Sequence, residues 1–227
     1  MCGRMVIARA AGDLVASLGI DLRDESPGGE SYNVAPTQTV PVLKADQDAR
    51  RVTLESARWG LVPSWSRGPQ GAPLINARAE TVTAKPSFRS AVLKRRGLVP
   101  ADGYYEWTST ASGKEPVYLH RPDDKGLLFA AVVEYWRDPA DGQVWLPSLA
   151  IITRPAADEI GHVHDRSPVI VPESRLDEWL DPSVSDRATV EGLLVSLPEP
   201  HLTPTEVGKF VNSVKNDGPH LITAISR

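Results

Sequence analysis

The chain has 227 residues, 41% hydrophobic and 24% charged, which is the ordinary globular range and enough to bury a sizeable core, with one domain over 1–227 as the default reading. No apolar run approaches the ~20 residues needed to cross a bilayer, and the first residues lack the basic-then-apolar build of a secretory signal, so a soluble, cytoplasmic protein is expected, nucleoid-associated if bacterial. A single cysteine excludes an internal disulfide and argues against a thiolate metal site.

Taken in chain order, the apolar patterning predicts a helix from Asp13 to Leu18, closed by Gly19, and then strands over Val40–Leu43 and Val52–Trp59. A helix over Pro86–Arg96, closed by Gly97, leads into strands at Leu98–Val99, Gly103–Trp107, Val117–His120, Leu127–Trp136, Leu149–Thr153 and Val169–Val171. Helices over Ser174–Leu180 and Asp186–Ser196 follow. Asp24–Ser31, Arg67–Pro73 and Thr108–Glu115 read as loops. The order is mixed rather than βαβ, which predicts an α+β fold: a single compact domain of curled, mainly antiparallel sheets with a few short peripheral helices.

The net charge of −4 is unevenly distributed. From Arg58 to Arg96 there are eight basic residues, Arg58, Arg67, Arg78, Lys85, Arg89, Lys94, Arg95 and Arg96, against Glu80 as the only acid, whereas acids gather between Asp158 and Glu199. Such a basic patch can collect phosphates on an acidic body, because counterion release follows local contacts; a solvated helix end is the plainer alternative.

The chemistry suggested by the first residues is specific. With Met1 trimmed, Cys2 would present an α-amine and a thiol two carbons apart. Their unperturbed pKa values, about 7.7–8.0 and about 8.5, leave usable fractions of both nucleophiles near neutrality. An aldehyde suits the pair: the amine condenses to a Schiff base, the thiol adds to the imine carbon, and a thiazolidine ring closes. Intramolecular closure of this kind gains up to ~7–11 kcal/mol over a bimolecular reaction.

Five further motifs follow in order: Tyr32-Asn33-Val34-Ala35-Pro36-Thr37, Arg58-Trp59-Gly60-Leu61-Val62-Pro63-Ser64-Trp65, Ile75-Asn76-Ala77-Arg78-Ala79-Glu80-Thr81, Pro100-Ala101-Asp102-Gly103-Tyr104-Tyr105-Glu106-Trp107 and His164-Asp165-Arg166-Ser167-Pro168. Together with Met1-Cys2-Gly3-Arg4 this set resembles the SRAP family of abasic-site sensors, from Cys2 to about Asn216. The resemblance implies a covalent crosslink between the N-terminal cysteine and an abasic site in single-stranded DNA, with Asn76, Glu106 and His164 at the family's active-site positions. Ser167 departs from the pattern, standing where the motif usually has methionine.

Physical reasons accompany each implied role. Schiff-base formation must move protons off the amine and onto departing water, which suits the Glu106 carboxyl, raised in pKa by its aromatic neighbours; a strand glutamate in a salt bridge is the alternative. His164 could donate a proton to the opened sugar oxygen or serve only the structure, and Asn76 could hold a sugar hydroxyl or stabilise a turn. Arg4, Arg78 and Arg166 could fork onto phosphates, Lys85 and Arg89 could extend that path, and Trp65 and Trp107 could stack bases, while Trp136 and Trp179 pack the core. His162-Val163-His164 has a metal-like spacing but lacks further ligands nearby, so neither metal nor cofactor is expected. The expected partner is single-stranded DNA containing abasic sites, bound by a monomer with possible lyase activity. A cysteine-type peptidase using Cys2, His164 and Glu106, and a noncovalent single-stranded DNA module, stand as alternatives.

Overall fold

A computed structural model describes residues 2–20, 30–45, 52–111, 113–156 and 163–225. Its strands are β1 (Met5–Ile7), β2 (Ser31–Val34), β3 (Thr39–Ala45), β4 (Val52–Trp59), β5 (Asn76–Arg78), β6 (Arg96–Ala101), β7 (Gly103–Thr110), β8 (Gly113–His120), β9 (Leu127–Arg137), β10 (Trp145–Pro155), β11 (Arg166–Pro168) and β12 (Thr203–Glu206). The helices are α1 (Ala11–Ser17), α2 (Arg89–Lys94), α3 (Leu176–Leu180) and α4 (Arg187–Ser196), with short 3₁₀ turns between and after them.

β9 carries the run LLFAAVVEYWR, which leaves little room for an exposed face. Its odd-numbered residues Leu127, Phe129, Ala131 and Val133 enter one apolar cluster, and its even-numbered Leu128, Ala130 and Val132 enter another. The same division runs through β10, where Leu149 and Ile151 join the first cluster and Ala150 and Ile152 the second. β9 pairs with β6 on one edge and β10 on the other, and the path β10-β4-β3-β6-β9 therefore closes on itself as a barrel. Helices α3 and α4 cover the outer cluster through Trp179, Leu180, Val190 and Leu193. The inner cluster joins the barrel to a second, five-stranded sheet in the order β12-β8-β7-β1-β2, and it holds Cys2.

The α+β expectation and its mainly antiparallel sheets hold; β10 adds parallel pairings to β4 and β5. The expected loop at Thr108–Glu115 is instead the end of a hairpin, with Thr108 opposite Glu115 and Ser109 opposite Lys114. Those residues are polar because the hairpin tip is largely exposed, not because the strands end there. The helix expected over Pro86–Arg96 is shorter, since Arg96 begins β6. Its guanidinium is buried and donates to the carbonyls of Trp179, Val92, Val184 and Asp181. Near Val169–Val171 the strand lies earlier, at Arg166–Pro168, with an isolated bridge from Ile170 to Phe129. Residues 24–29 of the first expected loop lie outside the described residues, and Ser31 begins β2. No helix among the described residues is long and apolar enough to cross a membrane.

The chain crosses from the barrel to the second sheet between β6 and β7 at Asp102, whose carboxylate accepts from the backbone of Ala8 and from Arg9 Nε. The next residue, Gly103, packs directly on β8: a Cβ there would lie 2.5 Å from the Leu119 carbonyl oxygen and 2.5 Å from the Tyr118 ring. A backbone oxygen cannot swing aside. Gly103→Ala is therefore expected to destabilise the protein by about 1–3 kcal/mol, seen as a lower denaturation midpoint, and an unchanged midpoint would show that β7 has slack at this position.

Candidate active site

Alternation along β7 turns Tyr104 and Glu106 to the inner cluster and Tyr105 to the opposite face, where it meets Val6, Tyr118 and Val211. Cys2, just before β1, is fully buried against the same inner face. Asn76, the first residue of β5, donates from Nδ2 to the Cys2 carbonyl at 2.8 Å. Its Oδ1 is buried without a hydrogen-bond partner among the described residues, so one half of the amide holds the Cys2 backbone and the other is unused.

Burial and charge set the protonation of this group. Desolvation pushes the Cys2 thiol far above its ordinary range, and the nearby Glu106 carboxylate adds to the effect, while the positive amino terminus and the Arg4 backbone N–H oppose it. The usable thiolate fraction expected from an unperturbed cysteine is therefore absent: the buried sulfur is a thiol until something removes its proton. Glu106 is also raised, chiefly by burial, with the amino terminus and His164 pulling it back. A raised carboxyl beside a protonated nucleophile is suited to taking that proton.

Glu106, Trp107 and His164 line a common cavity of about 410 Å³ together with Lys114 and Asn212. The backbone N–H of Arg166 donates to His164 Nδ1 at 3.0 Å. Asp165 Oδ1 lies 2.7 Å from the same nitrogen, but that carboxylate is 85% exposed, so we take the backbone N–H as the partner that fixes the tautomer and leaves the ring proton on Nε2.

The residues expected to bind phosphate divide into two groups. Arg78, Lys85 and Arg89 are exposed, on or after the strand that carries Asn76. Arg166 is buried, and its guanidinium forms a bidentate pair with Glu80, at 2.7 and 3.0 Å, and donates to the Thr153 carbonyl. Glu80 is correspondingly held below the usual carboxylate range by Arg166. Arg4 donates from Nη1 to Asn33 Oδ1 and to the Val211 carbonyl, and it lies 5.8 Å from the Trp107 ring centroid. Arg166 is therefore engaged within the protein through both terminal nitrogens and Arg4 through Nη1, while the Nε of each is buried without a hydrogen-bond partner among the described residues.

Trp65 stands 68% exposed on the loop after β4, and Trp107 is half-buried with Nε1 donating to Asn212 Oδ1. Trp136 and Trp179 are core residues, with their indole N–H groups on the carbonyls of Ser66 and Gly97. Asn33, inside the Tyr-Asn-Val-Ala-Pro motif, donates to the carbonyls of Ser213 and Asn216 and so fastens the C-terminal segment that brings Asn212 to the cavity. Lys114 and Asn212 line the cavity without a sign in the sequence, Lys114 because its stretch reads as loop. Ser167 is fully buried with its hydroxyl unpartnered among the described residues. No group of three or more metal-ligating side chains occurs among the described residues, and His162 lies outside them.

A family model described as SOS response associated peptidase (SRAP) matches residues 1–214. The chain belongs to the SRAP family. One SRAP relative, the abasic site processing protein YoqW of Bacillus subtilis, is 34% identical over 227 residues, covering 98% of this chain and 99% of its own. The abasic site processing protein YedK of Escherichia coli is 30% identical, covering 99% and 100%, and HMCES of Gallus gallus is 30% identical, covering 86% of this chain and 66% of its own. Among solved structures, a protein from Bacteroides thetaiotaomicron shares the fold with a TM-score of 0.84 at 24% identity, covering 99% of this chain and 100% of its own. A phage-related protein from Bordetella bronchiseptica has a TM-score of 0.71 at 31% identity, covering 91% and 94%.

The raised Glu106 of this SRAP protein has a measurable consequence. A carboxyl whose folded pKa lies above its ordinary value of 4.5 stabilises the fold, relative to a neutral residue, only while it is protonated, and that contribution is lost as pH rises through the folded pKa. The stability of the wild type minus that of Glu106→Gln is expected to fall as pH rises from 4.5 toward neutrality. Denaturation curves of both proteins across that range check it; a difference that is flat with pH would mean that the carboxyl is not raised.

Proposed function

We propose that the protein traps abasic sites in single-stranded DNA as a covalent thiazolidine at Cys2. The observation that carries this reading is the hydrogen bond from Asn76 to the Cys2 carbonyl, which holds the nucleophile on the strand face shared with Glu106. The names of the YoqW, YedK and HMCES relatives point to the same lesion.

With Met1 removed, the Cys2 amine attacks C1 of the ring-opened sugar, and a proton delivered to the carbinol oxygen lets water leave, giving an iminium. Glu106 moves protons in this step, and the Nε2–H of His164 faces the sugar oxygen. The thiol then adds to the iminium carbon: the C–S bond forms, the C=N π pair returns to nitrogen, and the S–H proton passes to the Glu106 carboxylate. The positive iminium keeps a cation fixed beside the sulfur after the amine has reacted, so the buried thiol is acidified at the moment it adds. If the thiol does not add, the same iminium permits slow β-elimination and strand cleavage. Exposed Arg78, Lys85 and Arg89 contact phosphates, and Trp65 and Trp107 stack bases beside the gap.

A peptidase reading fits less well. A cysteine peptidase needs a thiol made acidic by an imidazolium, whereas the charges that act on the Cys2 sulfur here are the Glu106 carboxylate, which opposes ionisation, and the amino terminus, which favours it.

Untagged protein incubated with single-stranded DNA carrying one abasic site should give a slow band on a denaturing gel that intact DNA does not give. Cys2→Ala should abolish the band while leaving noncovalent DNA affinity, and Glu106→Gln should slow its appearance by about 100-fold or more with little loss of binding. A heat-stable band from Cys2→Ala would overturn the assignment.

A further inference from the structure

β11 is three residues long and ends the strand order of its sheet. Ala156 N donates to the Asp165 carbonyl and Val169 N to the Ile152 carbonyl, which makes Arg154 and Ser167 the hydrogen-bonded pair between them. Arg166, opposite Pro155, is therefore at a position that makes no ladder bond, and its backbone N–H turns away from β10. That N–H is the one that donates to His164 Nδ1 at 3.0 Å. What fixes Arg166 itself is its side chain.

The side chain crosses β10. Thr153 pairs with Arg78 of β5 on one edge and with Pro168 of β11 on the other, so the two short strands flank it. From the β11 side the Arg166 guanidinium reaches Glu80, just beyond the end of β5, with Nη1 2.7 Å from Oε1 and Nη2 3.0 Å from Oε2. Nη2 also donates at 2.7 Å to the Thr153 carbonyl, which accepts the Ala79 N–H at 2.8 Å as well. The Arg166 side chain is 10% exposed, and a two-point fork in such a setting fixes the plane of the guanidinium as well as its distance. Glu80 is also the only acid between Arg58 and Arg96. The sequence spends it on this crossing.

We infer that Glu80 is a positioning residue for His164: through the Arg166 fork it holds in place the backbone N–H that fixes the imidazole with its proton on Nε2. This deepens the proposed function, in which that Nε2–H faces the sugar oxygen. Glu80 itself touches no substrate and exchanges no proton. The other charged groups about the ring are Asp165, beside Nδ1, and Glu106 and Lys114, which share its cavity. Among the described residues, Glu80 is the one carboxylate bonded to Arg166.

The test uses Glu80→Gln, which keeps the shape but sets an amide donor against a guanidinium donor, and Glu173→Gln as a control that breaks a comparable 2.8 Å pair with Arg121. Ring nitrogen-15 shifts are read in DNA-free protein at a pH where the imidazoles are neutral, with His164 assigned by difference from His164→Gln. His164 should carry its proton on Nε2 in wild type and in Glu173→Gln, and should be a mixture of both tautomers in Glu80→Gln. Crosslinking of abasic single-stranded DNA should slow about ten-fold in Glu80→Gln with unchanged DNA affinity. The same change should add nothing in a His164→Gln background. If Glu80→Gln does not fold, Glu80→Asp, which keeps the charge but is a methylene too short for the two-point fork, should show the mixture instead. A proton on Nδ1 in the wild type, or an unchanged tautomer in the Glu80 variant, would overturn the proposal. Equal slowing with and without His164 would also overturn it, since that means a general loosening of the fold. If the wild type failed to crosslink, the functional reading would fall, while the nitrogen-15 signal would still decide the role of Glu80.

Discussion

Backbone pairing along β10 is the interaction on which the site depends. This one strand meets β9 along Trp145–Ile151, β4 at Ser148 and Leu149, β5 at Ile151–Thr153 and β11 at Thr153–Pro155. The first two pairings close the barrel, and the last two hang the chemistry on its end. Asn76 enters through β5, and Arg166, whose N–H orients His164, enters through β11. Residues nearly 90 positions apart in sequence are thereby held by a few ladder hydrogen bonds on a rigid closed sheet, a more exact support than loops would give.

Closure also explains the electrostatics. The inner cluster is apolar because both faces of β9 and β10 are covered, and Cys2 and Glu106 are set at its edge, where desolvation disfavours charge on either. A thiolate exposed at rest would react with any electrophile. In the proposed reaction the iminium made from its own amine places a cation beside the buried thiol. Burial thus orders the two proposed bond-forming steps, amine first and sulfur second, without a moving part.

The arginines behave differently from what their number suggests. Arg96 and Arg166 spend their planar forks on backbone carbonyls and on Glu80, and Arg4 binds the C-terminal segment. A guanidinium is weakly hydrated and can satisfy several acceptors at once, so the residue best suited to phosphate is also the one best suited to a buried crossing of chain segments. Sequence position cannot separate these uses. Arg67, Arg78, Lys85, Arg89 and Lys94 are exposed and remain available at the surface.

The long central strands were legible because their residues are apolar on both faces, and α4 because Asp186 caps it, accepting from the Thr189 N–H. The short strands β1, β2, β5 and β12 were not, since three or four residues carry no period and are strands only because a neighbour completes the ladder. Cys2, Asn76, Glu106 and His164 are candidates from chemistry and motif, and the fold sets Asn76 on the Cys2 carbonyl and Glu106 and His164 on one cavity. Tyr104 was passed over as apolar padding for Glu106, and sequence offers no ground to do otherwise, because Tyr104 and Tyr105 are the same residue side by side. What distinguishes them is the two-residue period of β7, which gives the Tyr105 hydroxyl a carbonyl and leaves the Tyr104 hydroxyl without a partner among the described residues. Which of two neighbouring tyrosines is hydrogen-bonded is here a matter of strand face, and it becomes visible only when the partner of every buried polar atom is traced.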